Sequence, residues 1–232
     1  HRIIQGLNYG HKLRVGAFSY IGGYAGPAEG AALACVANDL LIPTVMQCDY
    51  TSSYCYDIQL FGNCGRKAVW ANSVSIQAIS RNTGFMRNKI VNETGGPCTE
   101  MFMYEAAVGL MNHCVSGASK TTQPRAAGGR YTDYITPVEC WWVGDVFKSC
   151  AGMTRKDANE LAKKILPKYE AKLGHPDKGQ SLTECFDLQK LQAKPHYVEL
   201  FNRVRNELID MGMPLEDRKS TRLNSSHLSR SR

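Results

Sequence analysis

The sequence predicts an α/β fold with a parallel sheet in its first 115 residues and a helical remainder. Two observations carry that prediction. Short apolar runs alternate with longer Ala- and Leu-rich runs up to Cys114, the pattern of βα units. Beyond Tyr131 only helix-length segments follow, and no repeat of 20–50 residues interrupts them.

The elements follow in chain order. Leu13 to Ser19 reads as a short buried strand, followed by the turn-rich Ile21-Gly22-Gly23-Tyr24-Ala25-Gly26-Pro27. Pro27 suits the first turn of a helix and Glu29 its N-terminal dipole. Ala31 to Leu41 carries that helix, and Pro43 is expected to stop it. Thr44 to Cys48 and Ile58 to Phe61 read as strands. After Gly62-Asn63-Cys64-Gly65, a helix is expected over Arg66 to Ser80, then a strand over Phe85 to Val91. Gly95-Gly96-Pro97 marks a loop before a long apolar helix, Cys98 to Cys114. Ser116 to Tyr131 is polar and Gly-rich, a loop. Helices then cover Thr136 to Cys150, Arg155 to Leu173 with a break at Pro167, Leu182 to Leu191, and Tyr197 to Met211.

The last residues differ in character. Asp217 to Arg232 is polar, basic and aperiodic, and it reads as one translated frame of a sequencing-library adapter. A basic tail that binds nucleic acid is the alternative. The tail holds five Lys/Arg and one Asp of the chain's 28 and 21, so residues 1–216 carry 23 against 20, a balance of +3. No basic run with interleaved aromatics remains there, and nucleic-acid binding is not expected. No apolar run approaches the roughly 20 residues of a membrane helix, so no membrane association is expected. His1 stands where an initiator Met would, and the start is expected to lie inside a longer reading frame.

Nine cysteines without any C-x-x-C pair favour reduced, mostly buried thiols in a cytoplasmic protein over a disulfide framework. Cys48, Cys55 and Cys64 are too loosely spaced for a zinc site, and no metal is expected. Asn92-Glu93-Thr94 matches a glycosylation sequon by chance. His113 and Ser116 suggest no triad.

Two Gly-rich connections are candidate sites, because βα barrels place their chemistry where strands end. They are Gly22-Gly23-Tyr24-Ala25-Gly26 and Gly95-Gly96-Pro97-Cys98-Thr99-Glu100. Neither is a phosphate-binding fingerprint. Glu29 and Glu100 are the candidate catalytic acids, with helix N-terminal charges as the competing reading. Gly22, Gly23, Tyr24 and Cys98 are the candidate substrate contacts, with turn and packing roles as the alternative.

These segments resemble the monomethylamine methyltransferase family. Gly22 to Gly26 followed by Glu29 is similar to one family stretch, and Gly96-Pro97-Cys98-Thr99-Glu100-Met101 followed by Glu105-Ala106 to another. Arg66 falls on a family Arg, and Thr183-Glu184-Cys185-Phe186-Asp187 resembles a family Gln-Glu-Cys-Tyr-Asp. The resemblance runs from about residue 11 to 216. It implies one domain over 1–216, the C-terminal part of a (β/α)8 TIM-type barrel. It also implies methyl transfer from a methylated amine to cobalt. The corrinoid would be carried by a cognate partner protein and not bound directly, and a homo-oligomer is expected. The family's pyrrolysine position would lie upstream of this chain. One family acid falls on Gly16, and a family Gln-x-Tyr falls on Ile90 and Asn92. Those departures point to a divergent member acting on a methylated amine other than monomethylamine. A barrel enzyme with other chemistry and a non-catalytic binding module are the alternatives.

Overall fold

A computed structural model describes residues 2–215. The expectation for 217–232 therefore lies outside the described residues. A short helix not foreseen in the sequence, α1 (Arg2–Asn8), comes first. Strands β1 (Arg14–Val15) and β2 (Phe18–Ile21) follow as one interrupted strand, then helix α2 (Ala28–Met46). Strands β3 (Tyr50–Thr51) and β4 (Tyr54–Asp57) run parallel to β1 and β2, with Arg14 opposite Tyr50 and Phe18 opposite Tyr54. Helix α3 (Arg66–Asn82) leads to β5 (Asn88–Lys89), which is tied to β3 through a parallel Thr51–Arg87 bridge. Helix α4 (Glu100–Ser116) leads to β6 (Lys120–Thr121), parallel to β5. The order is thus βα, βα, βα, β, with parallel neighbours throughout, as the alternation predicts.

Side chains alternate across this sheet. Ser19, Ile21 and Cys55 face the helices: Asn38 on α2 donates to Ser19 Oγ at 3.4 Å, and Ile21 and Cys55 pack with Ala28, Ala31, Ala32, Cys35, Ala68 and Ala71. Phe18, Tyr20, Tyr54 and Tyr56 stand on the other face and touch one another edge to face or tilted.

Several sequence expectations are corrected here. Pro43 does not stop α2, which runs on to Met46 and removes the strand expected over Thr44 to Cys48. Pro43 costs one backbone donor, but Thr44 Oγ1 donates to Leu41 O (2.8 Å) and Leu40 O (3.1 Å), and Gln47 in the left-handed region caps the end on Pro43 O. The strand expected over Ile58 to Phe61 is a turn closed by Asp57 Oδ1, which accepts from Gln59 and Leu60 N–H, and the strand lies just before it. The loop expected over Ser116 to Tyr131 contains β6. α2 is also long and apolar enough, by length and composition, to cross a membrane, contrary to the sequence expectation. It carries Glu29 and Asp39 and packs one stripe on the sheet and α3, as a crossover helix does.

The remainder is largely helical: α5 (Pro137–Ser149), α6 (Arg155–Ile165), α7 (Leu182–Cys185) and α8 (Pro195–Asp210). Thr136 and Glu139 form a capping box at α5, and Thr154 caps α6. Pro167 breaks the chain into short 3-10 turns, as expected. Leu182 to Leu191 is not one helix. After one turn, Phe186–Asp187 (β7) pairs antiparallel with Gln192–Ala193 (β8), because Asp187 Oδ1 captures Gln189 and Lys190 N–H and turns the chain. α4, α5, α6 and α8 enclose one large apolar core around Phe102, Trp142 and Phe201.

Candidate functional site

The Gly-Gly-Tyr-Ala-Gly connection leaves the end of β2. Gly22 (φ +81°) and Gly26 (φ +71°) adopt left-handed backbone, and Gly22 N–H donates to Gly26 O at 2.8 Å, closing a tight loop. Tyr24 is 72% exposed, donates from Oη to Phe18 O at 2.6 Å, and meets the Tyr20 ring edge-on at 6.1 Å. Glu29 is exposed in the first turn of α2.

The second connection is a clamp built from backbone. A Cβ on Gly96 would overlap the Lys178 carbonyl, and Gly96 N–H donates to Asp177 O at 2.8 Å. Cys98 is buried at φ +57° and donates from N–H to Glu139 Oε1 at 3.3 Å; burial pushes its thiol up to about 12. Thr99 caps α4, and Glu100 pairs with Arg203 at 2.5 Å. Thr94 Oγ1 donates to Glu105 Oε1 at 2.6 Å, and Tyr197 Oη donates to Glu139 Oε1. Glu93 Oε2 accepts from Arg125 N–H at 2.9 Å. Glu93 and Glu105, which the sequence showed only within motifs, and Glu139, which it did not single out, are thus fully buried beneath this loop. Burial raises all three, Glu93 to about 8 and Glu105 to about 7.

A third feature lies on the sheet face away from α2. A cavity of about 330 Å³ is lined by Arg14, Gly16, Phe18, Ser52, Tyr54, Ile90 and Arg125, among others, with no carboxylate in its wall. Tyr54 is 2% exposed, and its hydroxyl has no hydrogen-bond partner among the described residues; the same holds for Asn92 Nδ2. Burial raises the Tyr54 hydroxyl, while the neighbouring Asn92 side chain first, and then the Arg125 and Arg14 guanidiniums, oppose that rise. A Cβ on Gly16 would overlap the Ser52 carbonyl, so this strand position excludes any side chain without a backbone shift. None of Gly22, Gly23, Tyr24, Glu29, Cys98 and Glu100 lines this cavity.

The sequence marked Gly16 and Ile90 only as departures from the family pattern and could not join them into a cavity, because its wall draws on separate segments, residues 14–18, Ser52 with Tyr54, Ile90 and Arg125, that meet only through the fold. Asn92 was visible as part of a sequon and as a departure from the family pattern, and it is buried. Arg66 pairs with Glu170 at 2.7 Å on the surface, away from this wall. His113 is buried and held neutral, its imidazole driven down to about 3 by burial. Six of the nine cysteines are buried, and all are free thiols. Among the described residues no cluster of His, Cys, Asp or Glu is arranged to hold a metal.

Parallel strands joined by helices, with Gly-rich connections and a cavity in the sheet face, define a chain of the α/β class built from βα units. The family model for monomethylamine methyltransferase MtmB matches residues 4–213, and the chain belongs to that family. The monomethylamine methyltransferase MtmB of Methanosarcina mazei is 24% identical over 192 residues, 83% of this chain and 42% of the relative. MtmB1 of Methanosarcina barkeri gives the same figures. The crystal structure of the Methanosarcina barkeri monomethylamine methyltransferase superposes with a TM-score of 0.85 at 22% identity, covering 91% of this chain and 46% of that one. The chain therefore spans about two fifths of the length of the curated relatives it matches.

Proposed function

We propose that this chain forms part of a methyltransferase that moves a methyl group from a methylated amine to a corrinoid carried by a cognate partner protein. The family match over residues 4–213 is the observation that carries the reading. β1/β2, β3/β4, β5 and β6 are then consecutive strands of a (β/α)8 TIM-type barrel, and residues 1–216 are one part of that domain. A homo-oligomer in the cytoplasm completes the reading.

The partner's reduced corrinoid would supply the nucleophile that accepts the methyl group. The methyl carbon leaves nitrogen while the C–N bonding pair stays on nitrogen, so a protonated or fully alkylated nitrogen departs as a neutral amine. This chain's share is to bind and orient the donor and keep water out. The sheet-face cavity is suited to that, with its buried Tyr54 and the Phe18 ring beside it. The exposed Tyr24 and the Gly22-Gly23 turn sit at the end of β2, where a docking partner would meet the loop. Glu29 belongs to that rim. Cys98 holds the 94–99 loop on Glu139, and Glu100, the second candidate acid, sits at the α4 N-terminus paired with Arg203 of α8.

The test is spectroscopic. The product of the complete reading frame that encodes this chain is mixed with reduced cobalamin, free or on a corrinoid protein, and with a panel of N-methyl donors. Methylation of the cobalt with at least one donor is expected. Failure with every donor, from folded protein, would overturn the reading.

A further inference from the structure

We propose that the sheet-face cavity selects an N-methylated amine that also carries an anionic group, a zwitterion of the N-methyl amino acid or betaine class. The inference rests on the methylated-amine reading above and narrows its substrate.

Charge is the first observation. Arg14 and Arg125 both line the cavity, and neither guanidinium has a hydrogen bond or ion pair among the described residues. No Asp or Glu shares the wall with them. Two unpaired guanidiniums around about 330 Å³ repel a bare methylammonium and attract a carboxylate, which an Arg fork binds with two parallel N–H donors. The backbone reinforces this. At Gly16, in the same wall, the Ser52 carbonyl occupies the space a side chain would need. No counter-charge for a free ammonium can be built there without moving a strand.

Rings are the second observation. Phe18 and Tyr54 both line the cavity with the guanidiniums and meet edge to face at 4.8 Å, with the Tyr20–Tyr56 pair farther along the same sheet face. Phe18 is 39% exposed, so part of its surface is free for a ligand. Such rings hold methylated ammonium by cation–π attraction, without needing a hydrogen-bond acceptor. The third observation is the buried Tyr54 hydroxyl in this wall, which makes no hydrogen bond of normal geometry among the described residues. It can donate to an anion, and leaving such a group unpaired is costly. An anion at the guanidiniums and a methylated nitrogen over the rings would satisfy this wall as no simple amine does.

The test uses calorimetric titration of the complete reading frame's product with trimethylglycine, methylammonium and acetate. Trimethylglycine is expected to bind about tenfold tighter than methylammonium. Arg125→Gln is expected to weaken trimethylglycine by about tenfold and to leave methylammonium no weaker, since it removes a repelling charge. Arg14→Gln, at an exposed site, gives the same readout if the first variant does not fold. Methylammonium binding as tightly as trimethylglycine, or trimethylglycine binding unaffected in a folded Arg variant, would overturn the inference. The two readings fail separately. Methyl transfer from methylammonium with no preference for the zwitterion sinks this inference and leaves the methyltransferase reading standing. Arg-dependent zwitterion binding without methyl transfer from any donor keeps the site and sinks the methyltransferase reading.

Discussion

The sheet half and the helical half of the molecule bury different things. Under α2 and α3 the apolar cluster has eight residues, five of them Ala and two Cys. Its neighbours are charged: Lys89 is fully buried, donating to Asp39 Oδ2 at 2.9 Å and to Ser53 O, and Arg87 donates to Ile76 O and Gly117 O. The helical half instead packs Phe102, Met103, Leu110, Trp142, Val146, Ile165, Phe201 and Leu208 into one continuous core. Apolar area drives folding, so stability concentrates in the helices while the strands carry polar and charged groups that a dry core would not tolerate. The strands are only two to four residues long, and each hangs on the helices and loops behind it.

The largest effect that sharpens this contrast is expected from Trp142→Ala. Trp142 is 1% exposed, stacks edge-on against Phe201 at 5.4 Å and donates to Met103 O at 3.2 Å. Its removal is expected to cost about 3–5 kcal/mol in chemical denaturation. A loss as small as that of a surface substitution would mean that stability is not concentrated in the helices.

Lys89 probes the other half. Burial alone lowers its ammonium, but Cys35 and Asp39 outweigh that and hold it charged. Lys89→Met leaves Asp39 buried without its partner and is expected to cost about 3–5 kcal/mol. The double variant Lys89→Met with Asp39→Leu is expected to recover most of that loss, because an apolar pair needs no desolvation. Denaturation midpoints of the two variants decide. A double variant no better than the single one would show that the pair holds α2 against β5 by geometry and not by charge balance.

The contrast also explains what could be read in advance. The helices starting at Thr136 and Thr154 were legible because Pro137 in one first turn and Thr154 at the other cap announce their starts, whereas the turn and hairpin within Leu182 to Leu191 were not. The strands were legible as an alternation but not in place. Tyr54 to Asp57 carries an acid and three polar-tipped or small residues, while Thr44 to Met46 has the β-branched look of a strand and lies in a helix. Tertiary packing of α2 on α3 overrides both local preferences. The Gly-rich loops were visible from composition. The cavity was not, since Arg14, Tyr54, Ile90 and Arg125 lie on separate segments and meet only through the sheet register.

Smaller effects test the loop that joins the halves. Glu93 is a carboxyl whose pKa burial lifts from 4.5 to about 8. Between those values the folded state keeps a proton that the unfolded chain has lost. Its contribution to stability is therefore full below 4.5 and declines as pH rises through about 8, by at most about 1.4 kcal/mol per unit. Glu105 adds a loss of the same sign, ending near 7. Glu93→Gln has no such proton to lose. Its melting temperature is expected to fall less than that of the parent between pH 6 and pH 9, and identical pH profiles would refute the assignment.

The smallest expected effect separates the two readings of Glu100. Its carboxylate meets Arg203 at 2.5 Å, with both side chains substantially exposed, so solvent screens the pair and either substitution is expected to cost less than about 1 kcal/mol. If Glu100 only ties α4 to α8, Glu100→Gln and Arg203→Gln lower stability by the same small amount, the double variant adds nothing, and methyl transfer is untouched in all three. A Glu100→Gln variant that loses methyl transfer while Arg203→Gln keeps it would move Glu100 from the scaffold to the reacting site. The chemistry would then lie at the α4 N-terminus, and the division between a stabilising helical half and a binding sheet half would fail at its boundary.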